Sequence, residues 1–565
     1  MRLVFAIVSF AVAAVLIGTG IAQRTIFAEP DRVVLSVSAS SESPVTVIDG
    51  SALNAFAGSQ TVTLSGNGEV FAGYGRTTDV LAWIGDTKYT AVGFDSESGE
   101  LTSATVPGEQ TEVPDPNGSD LWLDDFQATD DLELTVNVPA DVSFIVASDG
   151  VQPAPKSIDI SWPLDNSTPW FGPLVISGSL ALLLGLGLLL WATTGLRASH
   201  GPRRTAVKPA KQSRRGSGRR RGMIAVPVVL IGALALTGCA PGNSASLGAT
   251  SSAPTLTDTP AESQVDPPAV TVRQVERIIA RISAVAIQAD ADRDADLIAS
   301  RFSGPALELR LANYTIRGRD ATIEALPPIP DGPVKLTLPQ QTSSWPRTVL
   351  AVIQNDEDAT VPPLALILVQ DDPRADYKVT YAITLEPSTV MPDVAPASVG
   401  TARLAIDTSV LRFTPTEVAL AYADILESDV ESPAYLDFEA EGDSLRVAVG
   451  LAAKKAIRAS LPTTATVEFG HEIGEADAIA LATNDAGAIV AVNLNETTTV
   501  KPVEAGAAVN PSGQVKALSG VTITTKGVVA TYGDQLLFYV PPAGSDGKII
   551  LLGYSQGLVK ATEIK

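Results

Sequence analysis

Cysteine occurs once in this chain of 565 residues, and histidine only twice. The single thiol, Cys239, has no partner for an intramolecular disulfide, and a zinc site of Cys and His ligands lacks donors. His200 lies in a strongly basic stretch, which leaves His471 alone to serve the rest of the chain. A Ser-His-Asp triad would rest wholly on that residue, and a Cys-His nucleophile is excluded. Carboxylates stay open as acids or bases.

Basic residues are short as well: 40 Lys and Arg stand against 63 Asp and Glu, for a net charge of −23. Ten of the 40 fall between Gly195 and Gly222, a span with no acidic residue. Without them the balance is 30 to 63. Surfaces so acidic repel nucleic acid and anionic polymers, so nucleic acid is not expected as a partner.

Against these absences stand long apolar runs. Phe171 to Leu190 carries no charge and is flanked by Trp170 and Trp191. Twenty helical residues reach roughly 30 Å, the thickness of a bilayer's hydrocarbon core, and tryptophans favour its interfaces. Leu3 to Ala22 is a second such run, read either as a cleaved signal or as an anchor; its length favours the anchor. The basic stretch fits a cytoplasmic loop touching anionic headgroups. A third run, Met223 to Thr237, is short for a spanning helix but suits the apolar part of a secretory signal.

That third run ends in Leu236-Thr237-Gly238-Cys239, followed by Ala240. The ending resembles the bacterial lipoprotein box. The resemblance implies a diacylglyceryl thioether on Cys239 and a cut just before it. Lipoprotein signals are N-terminal, whereas this one is internal. Three readings stay open: processing inside a polytopic chain, a fusion of two genes, or an uncleaved third helix. Each places the residues beyond Cys239 outside the cytoplasm.

Residues 25–169 read as β structure, with short β-branched runs at Val33–Val37, Thr61–Leu64, Val80–Ile84, Leu132–Val136 and Val142–Val146 between turn signals. A β-sandwich or jelly roll is expected, without helices. Asp115 to Asp120 has the oxygens of a calcium loop but neither its spacing nor its closing Glu, and reads as a polar turn. Gly66-Asn67-Gly68 and Gly73-Tyr74-Gly75 read as hairpin punctuation. Residues 240–269 are a flexible tether of Ser, Thr, Ala and Pro.

Beyond the tether the chain carries a degenerate repeat, 270–400 and 401–565. Thr271-x-x-Gln274 and Thr414-Pro415-Thr416-Glu417 both fit capping boxes. Val275, Ile278, Ile279, Ile282 and Val285 share one helical face, as do Val418, Tyr422, Ile425 and Leu426. Second helical pieces come next, near Ala306 to Tyr314 and Ser444 to Ala459. Strands come after them, at Thr348–Ile353, Leu364–Val369 and Tyr377–Leu385, then at Thr466–Gly470, Ala478–Thr483, Ala488–Asn493, Val521–Thr525, Leu536–Val540 and Ile549–Tyr554. Helices first and an antiparallel sheet after them mean α+β. The order resembles the cone-shaped, cystatin-like fold of the nuclear-transport-factor superfamily in tandem. The whole layout resembles actinobacterial envelope membrane proteins of uncharacterised function.

Three sets of residues invite a functional reading. Asp290-Ala291-Asp292-Arg293-Asp294-Ala295-Asp296 ends an amphipathic helix. As a metal loop it has Ala295 where Gly is needed and Arg301 where Glu belongs, so a solvated helix end is expected. His471 pairs on paper with Glu472 or Glu475, but reads as an exposed polar residue. Phe538, Tyr539 and Tyr554 read as sheet core. No catalytic, metal or cofactor site is assigned, and Cys239 is the one modification site. The expected fold is a multidomain membrane protein: an N-terminal all-β sandwich (jelly-roll-like), transmembrane helices and a C-terminal α+β tandem cystatin-like domain. The segments are 1–24 anchor, 25–169 β domain, 170–192 helix, 193–222 loop, 223–239 lipobox segment and 240–269 linker, and then the two repeats. The expected function is non-enzymatic binding or assembly support in the cell envelope, with both large domains outside. Expected partners are the lipid bilayer and other envelope proteins or cell-wall glycan. The alternative is a glycan-acting envelope enzyme, or an accessory subunit of a glycosyltransferase or peptidoglycan system, working through carboxylates.

Overall fold

The computed structural model describes residues 2–27, 30–40, 42–164, 169–197, 266–355, 360–387 and 389–565. The loop beyond Arg197, the run Met223–Thr237, Cys239 and most of the tether lie outside the described residues. The chain forms two units, one from 1–30 with 166–264 and one from 31–165 with 265–565.

The first unit begins with α1 (Arg2–Thr25). In the second, the early strands are β1 (Arg32–Ser38), β2 (Val45–Ile48), β3 (Gln60–Arg76), β4 (Tyr89–Asp95), β5 (Glu100–Val106), β6 (Asp124–Val136), β7 (Val142–Ala147) and β8 (Ser157–Pro163), with short helices α2 (Gly50–Leu53) and α3 (Thr77–Ile84). They make one eight-stranded sheet in the order β1-β8-β3-β7-β2-β4-β5, with β6 beside β3. Strand β3 organises it. Its first half pairs with β8 and its second half with β7, while β6 runs along its other edge. The β3–β6 register breaks between Ser65 and Glu69, where Gly68 takes a positive φ of 97° and its N–H donates to Asp130. Both parts of the sheet then bury side chains in one core: Val62, Leu64, Ile160 and Trp162 from one, Ala72, Phe144 and Val146 from the other.

The β-rich reading holds for this region, but Val80–Ile84 is helical. Helix α3 buries Asp79, Val80, Trp83 and Ile84, a spacing that only a helix puts on one face, and Gly85 at φ +60° ends it. Its β-branched and aromatic residues look like a strand because burial, not propensity, decides so short an element.

Helix α4 (Phe171–Arg197) pairs antiparallel with α1. Gly20 faces Val175, Ile17 faces Gly178 and Phe10 faces Gly185, so small residues let the two backbones approach. Ser9 Oγ donates to the Ala181 carbonyl at 2.6 Å. Leu3–Thr25 and Phe171–Thr193 are long and apolar enough to cross a membrane.

The C-terminal region is α+β. Helices α5 (Val272–Asp292), α6 (Ala295–Arg301) and α7 (Gly304–Arg319) precede β9 (Val334–Pro339), β10 (Arg347–Ile353), β11 (Leu364–Gln370) and β12 (Lys378–Leu385). Then come β13 (Arg403–Leu404), α8 (Pro415–Ser428), α9 (Ser444–Val449), α10 (Leu451–Ser460), β14 (Ala465–Ile473), β15 (Ile479–Ala482), β16 (Ala488–Pro502), α11 (Gly513–Ser519), β17 (Val528–Val540) and β18 (Ile550–Glu563). Both capping boxes form. Thr271 accepts from Gln274 N–H while the Gln274 side chain accepts from Thr271 N–H, and Thr414 and Glu417 repeat the exchange.

The strands of 270–400 and 401–565 form a single ten-stranded sheet, ordered β13-β15-β16-β17-β18-β12-β11-β10-β9 with β14 on β16. Its seam is narrow: β12 and β18 pair only at Thr384 with Tyr554 and Leu385 with Gly553. The expected strand Val521–Thr525 is a loop, bridged once from Val509 to Thr524. Residues 266–269, expected in the tether, are held: Pro268 bridges Gln341, and Ala269 N–H donates to the Gln340 carbonyl.

Within the second unit the α+β region docks on the β region through arginines. On α5, Gln274, Arg277 and Arg281 lie at helical spacing along the edge of the apolar face. They reach Leu121 O (3.0 Å), Asp124 (2.7 Å) and Gly118 O (2.7 Å) with Asp120 (3.2 Å). Arg301 pairs with Asp120 and Asp376, and Arg374 donates to the carbonyls of Trp83 and Ile84. Asp120, expected in a polar turn, is buried and also accepts from Tyr377 N–H at 3.0 Å. Arg347 forks onto Asp79, and Trp345 packs against the Trp83–Trp122 cluster beneath.

Candidate functional site

A cavity of about 670 Å³ opens beside the seam of the ten-stranded sheet. Helix α7 supplies Ala306, Leu309 and Arg310, and the loop Leu326–Pro330 supplies a proline-rich wall. Prolines fix φ, so this wall is ordered at little entropic cost. Leu364 and Ala382 form apolar floor, while Thr384, Gln535, Tyr554, Ser555 and Gln556 bring polar groups. Glu386 and Ser444 close one end. Volume and lining fit a small-molecule site, mostly apolar with a few convergent polar atoms.

Two charged side chains line it, and they differ. Arg310 is neutralised by Asp290 and stacks on Phe302 at 4.7 Å; Asp290 also accepts from the Tyr314 hydroxyl at 2.6 Å. Burial and that bond to Asp290 push the Tyr314 hydroxyl well above its ordinary pKa. Glu386 accepts from Ser444 N–H (3.1 Å) and Oγ (2.6 Å) at the start of α9. The cavity therefore carries one carboxyl group, held by Ser444 and paired with no cation among the described residues.

A smaller cavity of about 220 Å³ lies beyond Gln556, which lines both. Beside it sits a buried polar cluster on α10, β14, β16 and β17. Lys454 Nζ donates to Glu496 (3.1 Å) and the Leu426 carbonyl (3.2 Å), and lies 3.1 Å from His471 Nε2. His471 Nε2 is 3.0 Å from Glu496, and Gln556 donates to the second Glu496 oxygen at 3.1 Å. Burial raises the Glu496 pKa, but the bond from His471 and the Lys454 ammonium outweigh it and leave the carboxyl below its usual range. Asp534, on the adjacent strand, is fully buried with both oxygens unpartnered. Burial, and then the Glu496 charge, push its carboxyl well above the usual range.

The residues singled out in the sequence fare differently. His471 is not exposed: its side chain is 6% accessible, its partners are Glu496, Lys454 and, at 3.8 Å from Nδ1, Glu427, while Glu472 and Glu475 face solvent. Asp290–Asp296 does end α5, with Arg293 in the left-handed conformation and Asp294 capping α6. Asp290 is turned inward to Arg310 and Tyr314 rather than solvated. Phe538 is core, and Tyr539 bonds Asp485. Tyr554 packs against the same core and also lines the larger cavity, its hydroxyl 3.4 Å from Ser444 Oγ. Gly68 sits at the β3 bend, and Gly73 and Gly75 lie within β3 rather than in a turn. Cys239 lies outside the described residues. Among those residues, no three His, Cys, Asp or Glu side chains gather as a metal-binding group.

Glu386, Arg310, Gln535 and Gln556 carry no sequence signal, since each stands alone in an apolar strand end or helix. The three prolines between Leu326 and Pro330 are the one local hint of a rigid wall. The α+β region coincides with a known family: residues 266–563 match the family model described as a domain of unknown function, DUF8094. Neither a curated protein nor a solved structure matches the chain.

Proposed function

The chain belongs to the DUF8094 family, matched over more than half its length, and from that premise we propose that it is a membrane-anchored binding module of the cell envelope. The carrying observation is the cavity beside the β12–β18 seam, with Glu386 as its single carboxylate. Its ligand is a small, largely apolar molecule that offers a hydrogen-bond donor or a cationic group to Glu386. Anions are disfavoured there, and the acidity of the whole chain adds to that. A glycosidase needs two carboxyl groups facing each other about 5–9 Å apart. The cavity offers one, and Glu496 and Asp534 lie side by side on neighbouring strands rather than across a cleft. Binding is thus the better reading than glycan chemistry.

The path of the chain bears on its address. Helices α1 and α4 are antiparallel and apolar, so as membrane spans they leave the chain at Arg197 on the side of its N-terminus. The α+β region nonetheless packs in one body with the β region. On this reading Met223–Thr237, the apolar run in the sequence between 198 and 265, is the candidate for a return crossing. This path supports an extracytoplasmic location for both regions, with the arginine-rich stretch inside.

Native mass spectrometry of the detergent-extracted chain tests the binding reading. A bound small molecule that disappears in Ala382→Trp supports it; no bound mass in the unaltered chain, or the same mass in both, counts against it. Labelling of intact cells tests the address, which fails if a tag in the arginine-rich stretch is reached from outside.

A further inference from the structure

We infer that the α+β region is held on the β region by its own surface, so that a chain cut between Arg197 and Asp266 stays assembled as a two-piece complex. Three observations carry this. The first is charge complementarity: Arg277, Arg281, Arg301, Arg347 and Arg374 all come from the α+β side, and Asp79, Asp120, Asp124 and Asp125 all come from the β side. In a chain with 63 acidic and 40 basic residues, a surface this rich in arginine is a directed feature. Arginine's planar fork suits such recognition, since it binds carboxylates and carbonyls with fixed geometry.

The second is exclusion of water. The side chains of Asp120, Arg347, Asp79 and Arg301 are 0, 1, 7 and 8% exposed. Pulling the regions apart would strip Asp120 and Arg347 of every charged partner and leave Arg301 only Asp376 and Asp79 only Arg76, so the contact behaves as an interior and not as a rim. The third is that backbone takes part on both sides. Tyr377 N–H donates to Asp120, Arg374 caps the C-terminal carbonyls of α3, and Gln274 reaches the Leu121 carbonyl. Such contacts demand one register between the two surfaces.

The consequence for the natural protein rests on the lipoprotein-type reading of Leu236–Cys239. If the chain is cut before Cys239, the product is a lipid-bearing α+β piece seated on a helix-anchored β piece, rather than two parted proteins. The family match begins at residue 266, at the start of the docked piece.

The test places a site-specific protease sequence between residues 240 and 264 of the full chain in detergent. After complete cutting, the two pieces should elute together at about 0.15 M salt. In the cut chain, Arg347→Ala or Asp120→Ala should weaken association by about a hundredfold or more, while Lys501→Ala, in an exposed pair away from the contact, leaves it unchanged. Each variant is compared with its own uncut form, which reports folding separately. Two separate peaks from the unaltered sequence would overturn the inference. So would co-elution that ignores both Arg347→Ala and Asp120→Ala. Cutting by design is independent of natural processing, which is read from the mass of the chain in native membranes.

Discussion

Arg347 and Asp79 stand 268 residues apart in the chain and meet as a forked ion pair, Nη2 to Oδ1 at 2.7 Å and Nη1 to Oδ2 at 3.1 Å. Trp345 stacks under the guanidinium at 3.8 Å, which fixes its plane. Asp79→Ala should destabilise the second unit by about 3–5 kcal/mol, because it leaves the Arg347 guanidinium buried without a carboxylate; Arg347→Ala should cost less, because Asp79 keeps Arg76 at 3.6 Å. The double variant should cost clearly less than the sum. Denaturant unfolding of the three variants measures this, and additive effects would show that the pair does not couple.

Asp534 and Glu496 set opposite pH dependences. The Asp534 carboxyl has a folded pKa above its unfolded value, so its contribution is fully present below the unfolded value and is lost as pH rises through the folded one. The Glu496 carboxyl is lowered, so its contribution is present above the unfolded value and is lost as pH falls through the folded one. Asp534→Asn keeps the shape and cannot ionise. It should flatten the loss of stability on the alkaline side and raise stability near pH 7 by roughly 1 kcal/mol or more. Thermal melts from pH 4 to 9 decide it; a parent-like alkaline slope in the variant would show that Asp534 is not the group responsible.

Gly553 is a steric requirement of the seam. A Cβ there would meet the Thr384 carbonyl oxygen at 2.4 Å and Leu385 Cα at 2.7 Å, both backbone atoms that cannot swing aside. Gly553→Ala should therefore open the β12–β18 pairing at a cost of about 1–3 kcal/mol. Hydrogen exchange should show faster exchange at the Glu386 amide, which donates to the Leu552 carbonyl, with β10–β11 unchanged. Equal protection in both forms would mean that the seam absorbs the methyl.

The features legible in the sequence are local. The capping boxes at Thr271 and Thr414 can be read because donor and acceptor sit three residues apart, and the helical faces behind them because their spacing is regular. The apolar runs that form α1 and α4 are legible for the same reason. Helix α3 reads as a strand because Val80, Trp83 and Ile84 look like strand residues until the sheet beneath them is known. The site is hidden more deeply. Asp534 is one acid in an apolar strand, His471 looks exposed between Gly470 and Glu472, and Asp120 sits in a string of turn residues. Only pairing across β16, β17 and β18, or docking of α5, turns these inward. The partners of Glu386 and Arg310 come from segments 58 and 20 residues away, beyond the reach of any pattern.

Glu386 has two separable duties, and two substitutions part them. Its Oε1 accepts both the Ser444 amide and hydroxyl at the start of α9, so it fixes the cavity's end as well as charging it. Glu386→Ala removes the acceptor and leaves a partly buried N–H unpaired, at a cost of about 1–3 kcal/mol. Glu386→Gln retains a carbonyl oxygen for Ser444 and removes only the charge, so its unfolding midpoint should stay near that of the parent. If the carboxylate selects the ligand, Glu386→Gln should nonetheless lose a cationic or donor-bearing ligand and gain tolerance of anionic ones, read as bound mass in native spectra. A Gln variant that melts like the parent and keeps the same bound mass would confine Glu386 to holding α9, and the ligand's polar contact would then have to be sought among Gln535, Tyr554 and Gln556.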